Sequence, residues 1–190
     1  MKKHIPIFLL ILVTVLYRVI PYRLPGFAPQ IAMFLFLPSL LKSKNVSYIV
    51  AVLSLFISDL IYHLLYIFGL SSIPGFYNGQ SLNYLILTLT PVITFFILRK
   101  LNSSFLIQSL VGATIFFILS NTSVWFFQYG FHIEKTLNTY ISTLYAGIPF
   151  YLNSLIATIV FGGLICKHQV IYFFIKGKIS KNRLIQPMTK

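Results

Sequence analysis

Residues 50–70 read VAVLSLFISDLIYHLLYIFGL, an apolar run broken in its middle by Asp59 and, one helical turn later, by His63. About 20 apolar residues suffice for a helix to cross a bilayer, so the run is long enough to be a transmembrane span. The whole chain holds two acidic residues, Asp59 and Glu134. Seating an aspartate inside a span costs roughly 2.5–3.5 kcal/mol on insertion scales, and such groups face the bundle or a hydrated cavity. His63, at i+4, shares its face. Asp59 lies thirteen residues beyond Val46, about 20 Å along the helix at 1.5 Å per residue. The sequence therefore places a carboxylate deep in one half of the membrane, expected to look into a hollow reachable from outside.

The rest of the chain makes a soluble alternative untenable. Only 9% of its 190 residues are charged and 57% are hydrophobic, whereas soluble domains carry about 25% charged residues. The runs are far longer than the alternating segments of about ten residues that make a transmembrane β-barrel. The expected fold is all-α: a polytopic helical membrane protein with apolar runs at about 4–20, 30–41, 46–70, 82–98, 105–128 and 144–166. PYRLPGFAP, KSKN, SSIPGFYNGQ, RKLNSS and GFHIEKTLN separate them. The second run is short and contains Pro38, which leaves five spans with a re-entrant second segment as the alternative to six. The start, MKKHIPIFLLILVTVLYRVIPYR, resembles a signal peptide but lacks a small-residue cleavage site, and reads as an uncleaved first span. Residues 1–170 form one helical bundle and 171–190 a basic tail.

Charge orients this count. With the N-terminus cytoplasmic, twelve of the fifteen Lys and Arg residues fall on the cytoplasmic side; only Arg18, Arg23 and Lys135 do not. Cytoplasmic loops collect Lys and Arg in this way. Both termini are then cytoplasmic in a bacterial inner membrane, and the tail KGKISKNRLIQPMTK lies against the anionic leaflet. The net charge of +13 is accounted for by membrane topology, with no nucleic-acid partner.

The intramembrane polar residues gather toward the opposite, outer side: Arg18, Asp59 and His63, then Asn121 and Trp125 in SNTSVW, and Tyr145, Pro149 and Asn153 in YAGIPFYLN. Two readings compete. They line a ligand pocket under Pro- and Gly-rich outer loops, or they tie helices together, Asp59 to Arg18 and Asn121 across a helix pair, as interhelical hydrogen bonds do. No nucleophile–base pair, HExxH, GxSxG or phosphate loop is present, which excludes the common hydrolase and nucleotide-binding classes. Asp59, His63 and His132 are too few and too loosely spaced for a metal site. Cys166 is a lone cysteine with no CxxC spacing. The chain calls for no cofactor and is not expected to be an enzyme.

YRVIPYRLPGFAPQIAMFLF, SDLIYH, SNTSVW and YAGIPFYLN followed by FGG resemble, in order and spacing, a family of uncharacterised bacterial six-span membrane proteins assigned to transport through a domain of unknown function. The likeness covers about residues 15–165. Carried onto matching positions, the family pattern falls on Arg18, Pro21, Phe27, Pro29, Ala32, Ser58, Asp59, His63, Asn121, Trp125, Tyr145, Pro149 and Asn153. Gly26 stands where that pattern has Asn, and Ala157 where it has an acid. The architecture is similar to the S components of energy-coupling factor (ECF) vitamin transporters. The resemblance implies a small organic, vitamin-like solute bound from the outer face, loop 21–29 as a lid, and a transmembrane coupling subunit with ATPases as partner. The candidate binding set is Arg18, Phe27, Asp59, His63, Asn121, Trp125, Tyr145 and Asn153. The alternative is a non-transporting membrane scaffold or cell-envelope assembly subunit.

Overall fold

A computed structural model describes residues 12, 15–17, 20, 24–27, 29–41, 43–72, 74–101, 103–128 and 134–183. Among them the structure is helical throughout, without strands: α1 (Gln30–Leu40), α2 (Lys44–Ile67), α3 (Gln80–Leu98), α4 (Phe105–Phe127) and α5 (Leu137–Arg183). Four helical segments, Asn45–Ile67, Gln80–Leu98, Phe105–Phe127 and Leu137–Cys166, are long and apolar enough to cross a membrane, which marks the chain as an integral membrane protein. Lys44, Arg99 and Lys100 lie at one end of the bundle, called the basic end below.

Five of the expected runs reappear as helices with shifted ends, the run at 30–41 as α1, and the run at 4–20 lies largely outside the described residues. Ser43 and Ser104 start α2 and α4 by accepting from the backbone N–H of Val46 and Ile107, the bond that defines an N-cap. The last helix starts at Leu137, seven residues before the apolar run at 144. Its first two turns, LNTYIST, are helical without being apolar. It continues to Arg183, so the basic tail expected from 171 is, to that point, an extension of the same helix.

The short helix is the hub. At 11 residues α1 is about 16 Å long, half of what a membrane core requires. Yet Ile31, Ala32, Met33, Phe34, Phe36 and Leu37 are all buried, and α1 packs on each of the other four helices. A helix apolar around its whole circumference belongs inside, and irregular backbone at its ends is tolerated at membrane depth when protein surrounds it. Its neighbours make room with small residues. Ser47, Ala51, Ser54 and Ser58 form a buried stripe on α2. Gly112 of α4 abuts the Leu35 side chain, and Gly162 of α5 abuts the Phe36 ring. The stripe serines satisfy themselves by bonding back to carbonyls one turn earlier, Ser54 to Ala51 at 2.7 Å and Ser58 to Leu55 at 2.7 Å. Ile49, Leu53, Ile57, Leu60 and Leu64, on the other faces of α2, are exposed, as a lipid-facing surface would be. Small residues inward and large apolar residues outward are the pattern of membrane helix packing.

Candidate functional site

Asp59 occupies the seam between α2 and α3 and is 1% exposed. Its Oδ2 accepts from Gln80 Nε2 and from the Tyr84 hydroxyl, the latter at 2.5 Å. Gln80 and Tyr84 are one turn apart on the first turns of α3, so they point the same way. The N-terminal end of a helix carries partial positive charge, which favours an anion placed there. The other end of the Gln80 amide, Oε1, accepts from the backbone N–H of Tyr77 at 3.2 Å. One side chain thus holds both the carboxylate and the loop that leads into α3.

That loop runs the wrong way for a simple connection. Gln80, the first residue of α3, meets Asp59, and α2 continues eight residues further to Ile67. The chain must therefore come back along α2 by about 12 Å at 1.5 Å per residue. Gly75 makes the return possible: a Cβ there would run into the Asp59 carbonyl oxygen and the His63 backbone nitrogen. Phe76 then wedges between Phe56 and His63, with ring centroids 5.9 and 5.2 Å away. His63 Nδ1 is buried without a hydrogen-bond partner among the described residues. It shares a face with Asp59 and is held by ring contacts.

The first loop repeats this design. Gly26 has φ +78°, and a Cβ would sit 2.7 Å from the Phe150 carbonyl oxygen of α5, so an Asn at this position would collide with α5. Asn153 Nδ2 donates to the Pro25 carbonyl at 2.8 Å, and the Ser154 hydroxyl to the Gly26 carbonyl at 2.7 Å. Phe27 joins Tyr17 and Phe161 in an aromatic cluster, 5.5 and 6.2 Å between centroids. Pro25-Gly26-Phe27 and Pro74-Gly75-Phe76 are thus two copies of one device. In each, a glycine lies backbone to backbone on a helix, a phenylalanine plugs an aromatic gap, and a glutamine follows as the first residue of the next helix, Gln30 or Gln80. The signal, the repeated PGF tripeptide, stands in the sequence, but only its Phe27 belongs to the candidate set.

The remaining candidates lie on α4 and α5. Asn121 Nδ2 donates to the Phe117 carbonyl at 2.8 Å, and its amide rests on Gly147, where a Cβ would meet Oδ1 at 2.5 Å. Trp125 Nε1 donates to Thr139 Oγ1 at 3.1 Å while its ring stands edge-on to Tyr140 at 5.3 Å. Thr122 and Tyr140 share a hydrogen bond of 3.0 Å, and Thr114 and Tyr151 one of 2.9 Å. Tyr145 is 76% exposed and points away from the bundle. The eight candidates therefore divide: Asp59 with His63 at α2–α3, Phe27 with Asn153 under the first loop, and Asn121 with Trp125 at α4–α5. Arg18 and His132 lie outside the described residues. In place of a carboxylate looking into an open hollow, the structure shows one that is 1% exposed and bonded to Gln80 and Tyr84 of α3. Ala157, the position of the expected second acid, is fully buried.

A cavity of about 470 Å³ lies at the basic end, among α1, α2, α3 and the start of α4. Among the described residues, none of the candidates lines it. Pro38, Tyr48, Pro91, Thr94, Arg99 and Gln108 do.

This all-helical membrane bundle belongs to the Family of unknown function (DUF6580), whose pattern it matches over residues 1–176. No curated protein and no solved structure matches the chain.

Proposed function

We propose that the protein is a membrane transport protein that binds a small organic, vitamin-like solute from the outer face, in the manner of an ECF S component. In this reading it has six spans with both termini cytoplasmic in a bacterial inner membrane. A transmembrane coupling subunit with ATPases supplies the energy. The observation that carries the reading is the returning segment 74–79, in which Gly75 lies on the α2 backbone at Asp59 and His63 and Tyr77 is bonded to Gln80, the donor to the Asp59 carboxylate. A loop folded onto an intramembrane carboxylate is what a closed lid over a polar binding position looks like. Lifting the loop frees Gln80 from Tyr77, and polar N–H or O–H groups of a solute then replace the donors that Gln80 and Tyr84 supply. Basic residues concentrated at the end away from the loop support the orientation.

A second reading, a non-transporting scaffold or assembly subunit, is favoured by one observation: Asp59, Asn121, Trp125 and Asn153 each have partners within the chain. The two part in one experiment. Purified wild type, Asp59→Asn and Tyr84→Phe are titrated calorimetrically against a panel of vitamins, and their thermal unfolding is recorded alongside. The transport reading expects a ligand for wild type and at least a tenfold affinity loss in Asp59→Asn, about 1.4 kcal/mol. No heat for any compound, with both variants altered only in unfolding temperature, selects the scaffold.

A further inference from the structure

We infer that the cavity at the basic end is a binding site for an anionic phospholipid, with the acyl chain along its apolar surface and the phosphate at Arg99. Its volume, about 470 Å³, is within the 300–1,000 Å³ typical of small-molecule sites. Two prolines hold it open: Pro38 of α1 and Pro91 of α3 both line it. Neither has an N–H, so the carbonyls of Phe34 and Leu87, one turn earlier, lose their helical donors, and each ring keeps a neighbour from closing in.

The lining is mixed: Leu35, Phe95 and Leu98 give it apolar surface, and Tyr48, Thr94, Ser103 and Gln108 bring hydroxyls and an amide, with Arg99 also lining it. Arg99 has no carboxylate to answer it. One of the chain's two acids, Asp59, is fifteen residues up α2 from Lys44, about 22 Å from the basic end; the other, Glu134, precedes α5 at the far end of the bundle. An uncompensated guanidinium at a membrane-helix end attracts an anion, and Arg matches phosphate oxygens in bidentate geometry. The flank of α3 beside the cavity is a lipid-facing surface: Val92, Phe95, Phe96 and Ile97 are 40–63% exposed. An occupant reaches the cavity from the bilayer, which favours an amphiphile over a free ion. The inference is independent of the transport reading.

The test is native mass spectrometry of the full chain in detergent with phosphatidylglycerol or phosphatidylcholine added, for wild type, Arg99→Gln and Ser103→Phe. Arg99 is exposed and Ser103 lies in the α3–α4 connection, so both variants spare the core. Wild type is expected to retain one phosphatidylglycerol per chain, about tenfold more tightly than phosphatidylcholine. Arg99→Gln should erase that preference, and Ser103→Phe, which fills the cavity, should abolish retention of both lipids. Equal retention of the two lipids by wild type, or an unchanged preference in Arg99→Gln, overturns the inference. So does displacement of phosphatidylglycerol by millimolar inorganic phosphate, which would mark a free-phosphate site. Should either variant elute as aggregate, the wild-type competition between the two lipids decides alone.

Discussion

A carboxylate that is 1% exposed inside a membrane bundle keeps its place only when donors replace the water it has left. Gln80 and Tyr84 are two such donors, and Gln80 also holds the loop through Tyr77. Gln80→Leu removes a donor from a buried acid and the acceptor of the Tyr77 N–H at once. It is expected to cost about 3 kcal/mol in reversible unfolding in mixed micelles, against about 1.5–3 kcal/mol for Tyr84→Phe, a charged hydrogen bond alone. The double variant should fall short of the sum by about 1 kcal/mol, because both donors serve one carboxylate; strict additivity would mean that they act independently. The sequence showed that Asp59 needed partners, because a lone acid in an apolar run always does. It did not show which, because Gln80 reaches Asp59 only when the connection doubles back, and that register is decided by Gly75 against the backbone of α2. Asn121 and Trp125 were legible as intramembrane polar groups for the same reason, yet their partners Gly147 and Thr139 sit on a helix whose start the apolar pattern misplaced.

At the level of elements, charge and Pro/Gly punctuation made the ends of α2, α3 and α4 readable to within about three residues, since a Lys or an Arg ends a lipid-compatible run on solvation grounds. The start of α5 was not readable from hydropathy, because LNTYIST forms helix through its backbone and not through its apolarity. The paired Pro-Gly-Phe loops turn on a finer property, the absence of a Cβ, and a comparison of glycines isolates it. Gly69 and Gly26 both have positive φ, +70° and +78°. Gly69 has nothing within 4 Å of where a Cβ would stand, whereas Gly26 meets the backbone of Phe150 at 2.7 Å. Gly69→Ala should therefore cost only the backbone strain, about 1 kcal/mol. Gly26→Ala should cost about 3 kcal/mol or more, strain and collision together. In hydrogen exchange, Gly26→Ala should also speed the amides of residues 24–27 while those of α3 stay slow. Equal losses for the two variants would show that conformation, and not the packing of the loop on α5, fixes glycine at 26.

Across the whole molecule the short central helix sets both the architecture and its polarity. α1 touches every other described helix and leaves the long helices to meet lipid. A substitution in it should therefore be felt throughout. Phe34→Ala, at a fully buried position, is expected to cost about 3 kcal/mol in the same unfolding assay. Leu53→Ala, 50% exposed, should cost under about 0.5 kcal/mol, since lipid fills what the side chain vacates. Around this hub the returning loop and Asp59 lie toward one end, and Arg99 with its cavity at the other. Which end faces the cytoplasm follows from the basic residues, and labelling tests it. In a Cys166→Ser background, Leu70→Cys and Leu101→Cys, 75% and 62% exposed at opposite ends, are treated with a membrane-impermeant maleimide in intact cells. The distribution of Lys and Arg predicts that Leu70→Cys reacts at once and Leu101→Cys only after permeabilisation. The reverse result would turn segment 74–79 toward the cytoplasm, where it could not close over a solute arriving from outside, and Asp59 would then serve α2 and α3 as a structural tie.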